Sequence, residues 1–375
     1  MKKILLSFIL MMSLLVTLYG QGRIRDYGIK PGIFKTGEYN AITDVKGVKV
    51  GHVTLIEGDS IRTGVTAIIP HEGNVFRKKC PAAIYVGNGF GKLAGVTQVK
   101  ELGNIETPIV LTNTLSVAQG IEGLITYTIN QKGNENVRSV NCIVGETNDG
   151  GLNDIRGRHV TANHVIEALE KAKSGPIEEG CVGAGTGTVC FSWKGGIGTS
   201  SRVLPEALGG YTVGVLIQSN YGGILEIEGV PVGQRLGAYS FKNNVEDPNY
   251  NPDGSCMMVI ITDAPLDARN LERLAKRVMM GMAKTGGIAS NGSGDYVIAL
   301  SVNRDNLIDE STKYYLPTLL HNDDMSPLFE AAIECTAEAL WNSLFAAKDM
   351  VGMNGKQVKA IPVEKVVELM KQPVL

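Results

Sequence analysis

The sequence predicts an α/β protein in which helices lie over β-sheets, and three observations carry that expectation. Short runs rich in β-branched residues recur along the chain, three longer segments place apolar residues at helical spacing, and 46 glycines stand against 14 prolines. So many glycines imply sharp turns and close backbone approaches. The strand runs are residues 47–55, 64–70, 82–87, 108–113, 139–146, 211–220, 256–262 and 296–303, and several close on Gly, Asn or Thr. The first helix is expected over 161–175, with Val165, Ile166, Leu169 and Ala172 on one face, Thr161 as its cap and Gly175 as its stop. A second spans about 265–284, where Leu271, Leu274, Ala275, Val278, Met279 and Met282 share a face. The third begins at Ser326-Pro327, a cap followed by a first-turn proline, and runs to Ala347. The polar interval 240–255 reads as a surface loop or insertion. These patterns alone leave a Rossmann-like layer and an α-β-β-α sandwich both open.

Composition narrows the function. A chain of 375 residues with 43% hydrophobic and 20% charged residues has ample core. A net charge of -2, with no Lys/Arg run longer than the three residues 77–79, gives no footprint for nucleic acid or an anionic membrane. Neither is expected as a partner. The start reads as an export signal: Lys2 and Lys3 precede an apolar run from Ile4 to Leu18, and Gly20 offers a small residue for cleavage. The run is short for a membrane span. Residues 1–20 are therefore expected to be a signal peptide and the mature protein to begin near Gln21, in the periplasm or outside the cell. The six cysteines (Cys80, Cys142, Cys181, Cys190, Cys256 and Cys335) form no C-x-x-C and read as buried free thiols, although export would permit disulfides. His159 and His164 are spaced wrongly for an H-E-x-x-H site, so no metal is expected.

Known cofactor and nucleophile motifs are missing. The segment 183-GAGTGT-188 fails the dinucleotide pattern and 87-GNGFGK-92 fails the phosphate-loop pattern, so both read as turns or ligand-facing backbone. No G-x-S-x-G elbow occurs. What remains is 285-TGGIASNGSGD-295, where Ser290, Asn291, Ser293 and Asp295 crowd into a glycine-rich turn just before a strand. A serine nucleophile needs a base, and no histidine is an obvious partner for Ser293. One route uses the serine's own α-amine, whose pKa of roughly 7.7–8.0 suits it to accept the hydroxyl proton once the serine is a chain terminus. Asn291-Gly292-Ser293 suits self-cleavage, because a turn with little side-chain bulk lets the hydroxyl reach the preceding carbonyl. Asn291-Gly292-Ser293-Gly294 is also an ordinary turn sequence.

The chain resembles the self-processing N-terminal-serine hydrolases, the group of L-aminopeptidase/D-amidase/esterases and β-peptidyl aminopeptidases. The resemblance is carried by 40-NAITDVKGVKVGH-52, 145-GETNDGGLNDIRGRHVT-161, 182-VGAGTGTVCFSWKGGIGTSSR-202, 213-VGVLIQSNYG-222, 262-TDAPLDARNLERLAKR-277 and 285-TGGIASNGSGD-295. It implies an α-β-β-α sandwich like that of the N-terminal-nucleophile hydrolases, with different connectivity. It also implies autocleavage between Gly292 and Ser293, giving an α-chain of 21–292 and a β-chain of 293–375 in one catalytic domain. Ser293 would be the nucleophile. Asn220 matches the oxyanion-hole asparagine, and Glu146 the carboxylate that receives the substrate's amino group. Read without the family, Asn220 is a strand-ending turn residue and Glu146 a partner for Arg156 or Arg158.

Thr336 and Glu338 match a serine and glutamate that support the nucleophile, with Glu334 a rival for the second place. Residues two apart on a helix do not face the same way. Asn148 stands where some members carry an aromatic residue, at the substrate pocket. No cofactor is implied, and homo-oligomers of αβ units are. The expected activity is removal of N-terminal residues from short peptides, amides or esters through an acyl-enzyme. The alternatives are a β-peptide or oligoamide hydrolase of the same group, an acyltransferase (disfavoured by serine in place of threonine), and an unprocessed binding protein.

Overall fold

The computed structural model describes residues 22–242 and 253–372. The expected signal peptide and most of the polar interval 240–255 lie outside those residues.

Two sheets lie face to face between two layers of helices. The first contains β1 (Lys49–Glu57), β2 (Ile61–Ile69), β4 (Ile109–Asn113) and β5 (Ile143–Thr147), in that spatial order, with the two-residue strand Leu93–Ala94 at the far edge. The second runs β6 (Gly196–Val203), β7 (Thr212–Asn220), β8 (Asp253–Thr262), β9 (Gly292–Ser301) and β3 (Lys78–Gly89). Short strands at Ile308–Asp309 and Asn104–Ile105 pair with β3. Strands β8 and β9 are parallel, Gly254 opposite Ser293; their other neighbours β7 and β3 are antiparallel to them. Parallel neighbours require a crossover, and helix α3 (Ala268–Lys284) supplies it.

Strand alternation divides the core into three layers. Met257, Val259, Tyr296, Ile298 and Leu300 fill the space between the sheets with Ile68, Leu111 and Ile143. Met258, Ile260, Val297 and Ala299 face the other way, onto α3 and helix α4 (Ser326–Phe345). Helices α1 (Val117–Ile129) and α2 (Ala162–Glu170) cover the outer face of the first sheet through Leu124, Val165, Ala168 and Leu169. Both faces of the second sheet are buried, which is why β7, β8 and β9 read as continuous apolar runs. The expected α-β-β-α sandwich is present.

Every predicted strand and helix is found, with shifted ends. The Thr161 cap is real, its Oγ1 accepting from His164 N at 3.4 Å, although α2 ends well before Gly175. Ser326 is corrected: it lies inside the first turn, and no side chain caps the helix at that end. The sequence reading missed strand β6, helix α1 and the shorter helices Val96–Leu102, Val232–Arg235 and Val363–Met370. Strand β6 is built from small polar residues, and α1 carries Gly120 and Gly123 within a β-branched stretch. Those glycines allow close packing. A Cβ on Gly120 would stand 2.6 Å from Val144 Cγ1, and one on Gly123 2.5 Å from Val165 Cβ. Among the described residues no helix is long and apolar enough to cross a membrane, and all six cysteines are free, five of them buried.

Candidate active site

Ser293 enters β9 as its second residue, after a segment that doubles back on itself. Ser293 N donates to Ser290 O at 2.9 Å. Asn88, near the end of the neighbouring strand β3, donates through Nδ2 to Ser290 O at 3.0 Å, to Asn291 O at 3.2 Å and to Ser293 O. One side chain therefore holds the backbone on both sides of the Gly292–Ser293 bond. Ser293 is fully buried. Its Oγ lies over Gly254, where an added Cβ would stand 3.2 Å from it and 3.2 Å from Tyr221 Cα. The hydroxyl donates to Asp295 Oδ1 at 2.8 Å. Residues two apart on a strand share a face, so this bond follows from the sequence once the strand is known.

Burial pushes the Asp295 carboxyl up to about 6, against the opposing pull of the bonds from the Ser293 hydroxyl and the Cys256 backbone. Its second oxygen, Oδ2, is buried without a hydrogen-bond partner.

Beside this strand a cavity of about 300 Å³ opens between the ends of the two sheets, lined by Gly89, Phe90, Lys92, Glu146, Gly254 and Gly292 among others. Glu146 is 2% exposed. It accepts from Lys92 N at 2.9 Å and from the Thr114 hydroxyl, and Lys92 Nζ stands 3.8 Å from Oε1. Its partner is thus Lys92, not Arg156 or Arg158. Close packing of the Gly91 and Gly294 backbones with the Glu146 carboxylate shapes the cavity. A Cβ on Gly91 would sit 3.1 Å from Glu146 Oε1 and 3.3 Å from Gly294 Cα. The segment 87-GNGFGK-92, which matches no phosphate loop, supplies this wall.

A second cavity, of about 730 Å³, adjoins the first through Asn148, which lines both; Asn220, Tyr221, Trp193 and Lys356 are among its other walls. Asn220 closes β7, and its amide is fixed at both ends. Oδ1 accepts from Val189 N at 2.9 Å and Nδ2 donates to Asn148 O at 3.0 Å. Asn148 itself is exposed, and its Oδ1 accepts from Gly150 N at 3.0 Å. Ser293, Gly292, Asn220, Asn148 and Glu146 thus gather at one end of the sandwich.

Thr336 and Glu338 do not join them. Thr336 Oγ1 donates to Ala332 O at 2.7 Å, and a Cβ on Gly281 would meet the Thr336 side chain at 2.6 Å, so this residue packs against α3. Glu338 is fully buried and accepts from Arg202 Nη2 at 2.7 Å, Arg25 Nε at 2.6 Å and Asn40 Nδ2 at 2.6 Å. Glu334, the rival, binds Arg202 Nε at 2.7 Å and Ile33 N at 2.7 Å. Arg202 pairs in register with Val213, Val213 with Thr262, and Thr262 with Ser301. Ser301 is eight residues beyond Ser293, about 26 Å along the strand at roughly 3.3 Å per residue. The support expected from Thr336 and Glu338 is therefore corrected: Thr336 faces α3, and Glu338 belongs to an ion-pair cluster at the far end of the sheet. Nearer to hand, the sequence reading missed Asp295, Asn88, Thr114 and Lys92. Only Asp295 carried a usable signal, its two-residue spacing from Ser293.

This geometry has counterparts. The model for "Peptidase family S58" matches residues 40–358. A β-peptidyl aminopeptidase, BapA, of Sphingosinicella microcystinivorans is 39% identical over 361 residues, 91% of this chain and 89% of that protein. A solved structure from Pyrococcus horikoshii OT3 superposes with a TM-score of 0.85 at 46% identity, covering 93% of this chain and 98% of its own. The L-aminopeptidase D-Ala-esterase/amidase of Ochrobactrum anthropi, described as a prototype for the serine aminopeptidases and a new variant among the Ntn hydrolase fold, superposes with a TM-score of 0.85 at 33% identity, covering 94% and 98%. The sandwich, the serine at the head of a central strand and a family match spanning most of the sequence agree: the chain belongs to peptidase family S58, a family of peptide hydrolases.

Proposed function

We propose that this protein is a self-processing serine aminopeptidase, cut between Gly292 and Ser293, that hydrolyses short peptides, amides or esters carrying a free amino group. The observation that carries the reading is the adjacency of Ser293, at the head of β9, to a cavity holding the buried carboxylate of Glu146. In the uncut chain the Ser293 hydroxyl is buried and bonded to Asp295, while Gly292 lines the cavity. Cutting frees the serine to turn toward that cavity and creates the amine that serves as its base. In turnover the amine takes the hydroxyl proton and Oγ adds to the substrate carbonyl carbon. The leaving amine takes the proton, and water hydrolyses the acyl-serine ester. Asn220 Nδ2, which donates to the Asn148 carbonyl in the uncut chain, is the side-chain donor for the developing oxyanion. Glu146 pairs with the substrate ammonium, which selects free N-termini over internal bonds.

The test is direct. Denaturing gels of purified protein are expected to give two unequal fragments, the smaller beginning Ser-Gly-Asp-Tyr. Ser293→Ala is expected to give one uncut, inactive chain. Any other start to the smaller fragment sinks the assignment.

A second reading concerns the substrate. The relative from Sphingosinicella is named a β-peptidyl aminopeptidase, which favours substrates with β-amino acid residues. A panel of aminoacyl-p-nitroanilides with L-, D- and β-residues separates the two by kcat/KM. The reading extends to export, supported by Lys2, Lys3 and the apolar run to Leu18, and to a homo-oligomer of αβ units. Cell fractionation and sedimentation respectively check these.

A further inference from the structure

Ser293 has a proton to lose before it has an amine to receive it. In the uncut chain its nitrogen is an amide that donates to Ser290 O, so the base used in turnover does not yet exist. The hydroxyl is already committed to Asp295 Oδ1 at 2.8 Å, and both side chains are fully buried. Asp295 Oδ2 has no hydrogen-bond partner. A buried carboxylate oxygen left unpaired is costly, and here it belongs to the group that touches the reacting oxygen. Asn88 clamps the backbone on either side of Gly292 meanwhile.

From this geometry we propose that Asp295 is the catalytic base of chain cleavage, taking the Ser293 Oγ proton as Oγ adds to the Gly292 carbonyl carbon. The Gly292–Ser293 C–N bond then breaks, and the proton passes from Asp295 to the departing nitrogen. The two segments are left joined by an ester between the Gly292 carbon and Ser293 Oγ. The departed nitrogen is the new α-amine, and water hydrolyses the ester to the Gly292 carboxylate and a free Ser293 hydroxyl. Asp295 thus acts in the step that makes the turnover base, and the inference rests on the reading of Gly292–Ser293 as the cleavage point.

The pH dependence of processing has a definite sign. Asp295 accepts a proton only when ionised, so the rate rises with pH through about 6 and then levels. Three other titratable groups face it: Tyr221 and Cys256 from the neighbouring strand and turn, and Tyr296 on its own strand. Burial raises all three, Tyr221 and Cys256 well above their ordinary values. They stay neutral from pH 5 to 8, and no histidine enters. Asp149 and Glu179 are raised as well, to about 7, but bond elsewhere, to Asn153 and to Arg23 and Thr199; an inflection near 6 that is lost in Asp295→Asn belongs to Asp295.

The experiment follows conversion of the full chain, labelled by cell-free translation, on denaturing gels after folding at pH 5 to 8. Wild type is expected to show an inflection near pH 6. Asp295→Asn, with its fold checked by circular dichroism, is expected to process about 100-fold more slowly or worse at pH 8, the scale of lost general-base catalysis. Its residual rate should show no inflection. If wild type is never cut at Gly292–Ser293, the processing reading falls and this inference falls with it. If wild type is cut there but Asp295→Asn keeps pace, only the role of Asp295 is overturned. Should Asp295→Asn fail to fold, the wild-type profile decides alone: a flat profile rejects the base, and an inflection near 6 supports it.

Discussion

The two ends of the second sheet treat buried carboxylates in opposite ways. At the far end, Glu334 and Glu338 are enclosed by Arg202, Arg25, Asn40 and backbone amides. Burial disfavours the Glu338 charge, but the Arg25 and Arg202 guanidinium groups and Asn40 outweigh it and hold the carboxyl below its ordinary value. At the near end, Asp295 has one hydroxyl, one backbone amide contact and an unpaired oxygen, and burial wins. Similar chemistry in similar burial gives a permanent anion in one place and a proton acceptor poised near pH 6 in the other. The number of compensating donors makes the difference. A carboxylate whose bonds are all satisfied stabilises the fold; one left short of donors remains available for proton transfer.

The largest expected effect tests the satisfied end. Arg202→Met leaves two carboxylates buried with reduced compensation, and chemical denaturation should show a loss of about 3–5 kcal/mol. Whatever folds should keep wild-type kcat, since the cluster is displaced from Ser293 by about 26 Å along the strand direction at roughly 3.3 Å per residue. A fall in kcat without loss of stability would return Glu338 to the chemistry.

At the near end, Asn220→Ala should lower kcat by roughly 100-fold or more on processed protein, with little change in KM. A rise in KM with kcat preserved would make Asn220 a ground-state contact. Glu146→Gln should cost about 2–5 kcal/mol in kcat/KM for a free-amine substrate, and should narrow its advantage over the acetylated one. If wild type cleaves the blocked peptide equally fast, Glu146 is not the amine receptor.

The smallest effect sharpens the contrast through stability. The folded carboxyl of Asp295 titrates at about 6, against about 3.9 in an unfolded chain. Ionising it therefore penalises the fold: the penalty is absent below pH 4, grows from there, and is complete above pH 6. In uncut protein carrying Ser293→Ala, adding Asp295→Asn should raise stability at pH 8 by on the order of 2 kcal/mol. The gain should vanish near pH 4. Satisfied carboxylates behave oppositely. Glu338, depressed in the fold, contributes stability above its unfolded pKa of about 4.3 that is lost as pH falls through its folded value.

Local pattern alone determined much of this protein. The strand runs and the three predicted helices were legible because period and turn chemistry act over a few residues, whereas Gly292-Ser293-Gly294, read as a turn, already belongs to β9. Glu146 and Asn220 were legible as polar residues ending apolar strands, once the family resemblance gave them roles. Strand β6 and helix α1 were not, since small residues and glycines follow from what packs against them rather than from their own propensity. The tertiary structure alone decided which carboxylates are satisfied. Arg25 meets Glu338 across 313 residues, and Arg202 meets it across 136, separations that no spacing rule covers. The same holds for the site: Asn88 comes to the Gly292–Ser293 bond from another strand, and Thr114 and Lys92 come to Glu146 from two loops. Asp295 is the instructive case between the two. Its spacing from Ser293 was written in the sequence, but only the folded sheet, by burying the pair and leaving Oδ2 without a partner, turned that spacing into a base.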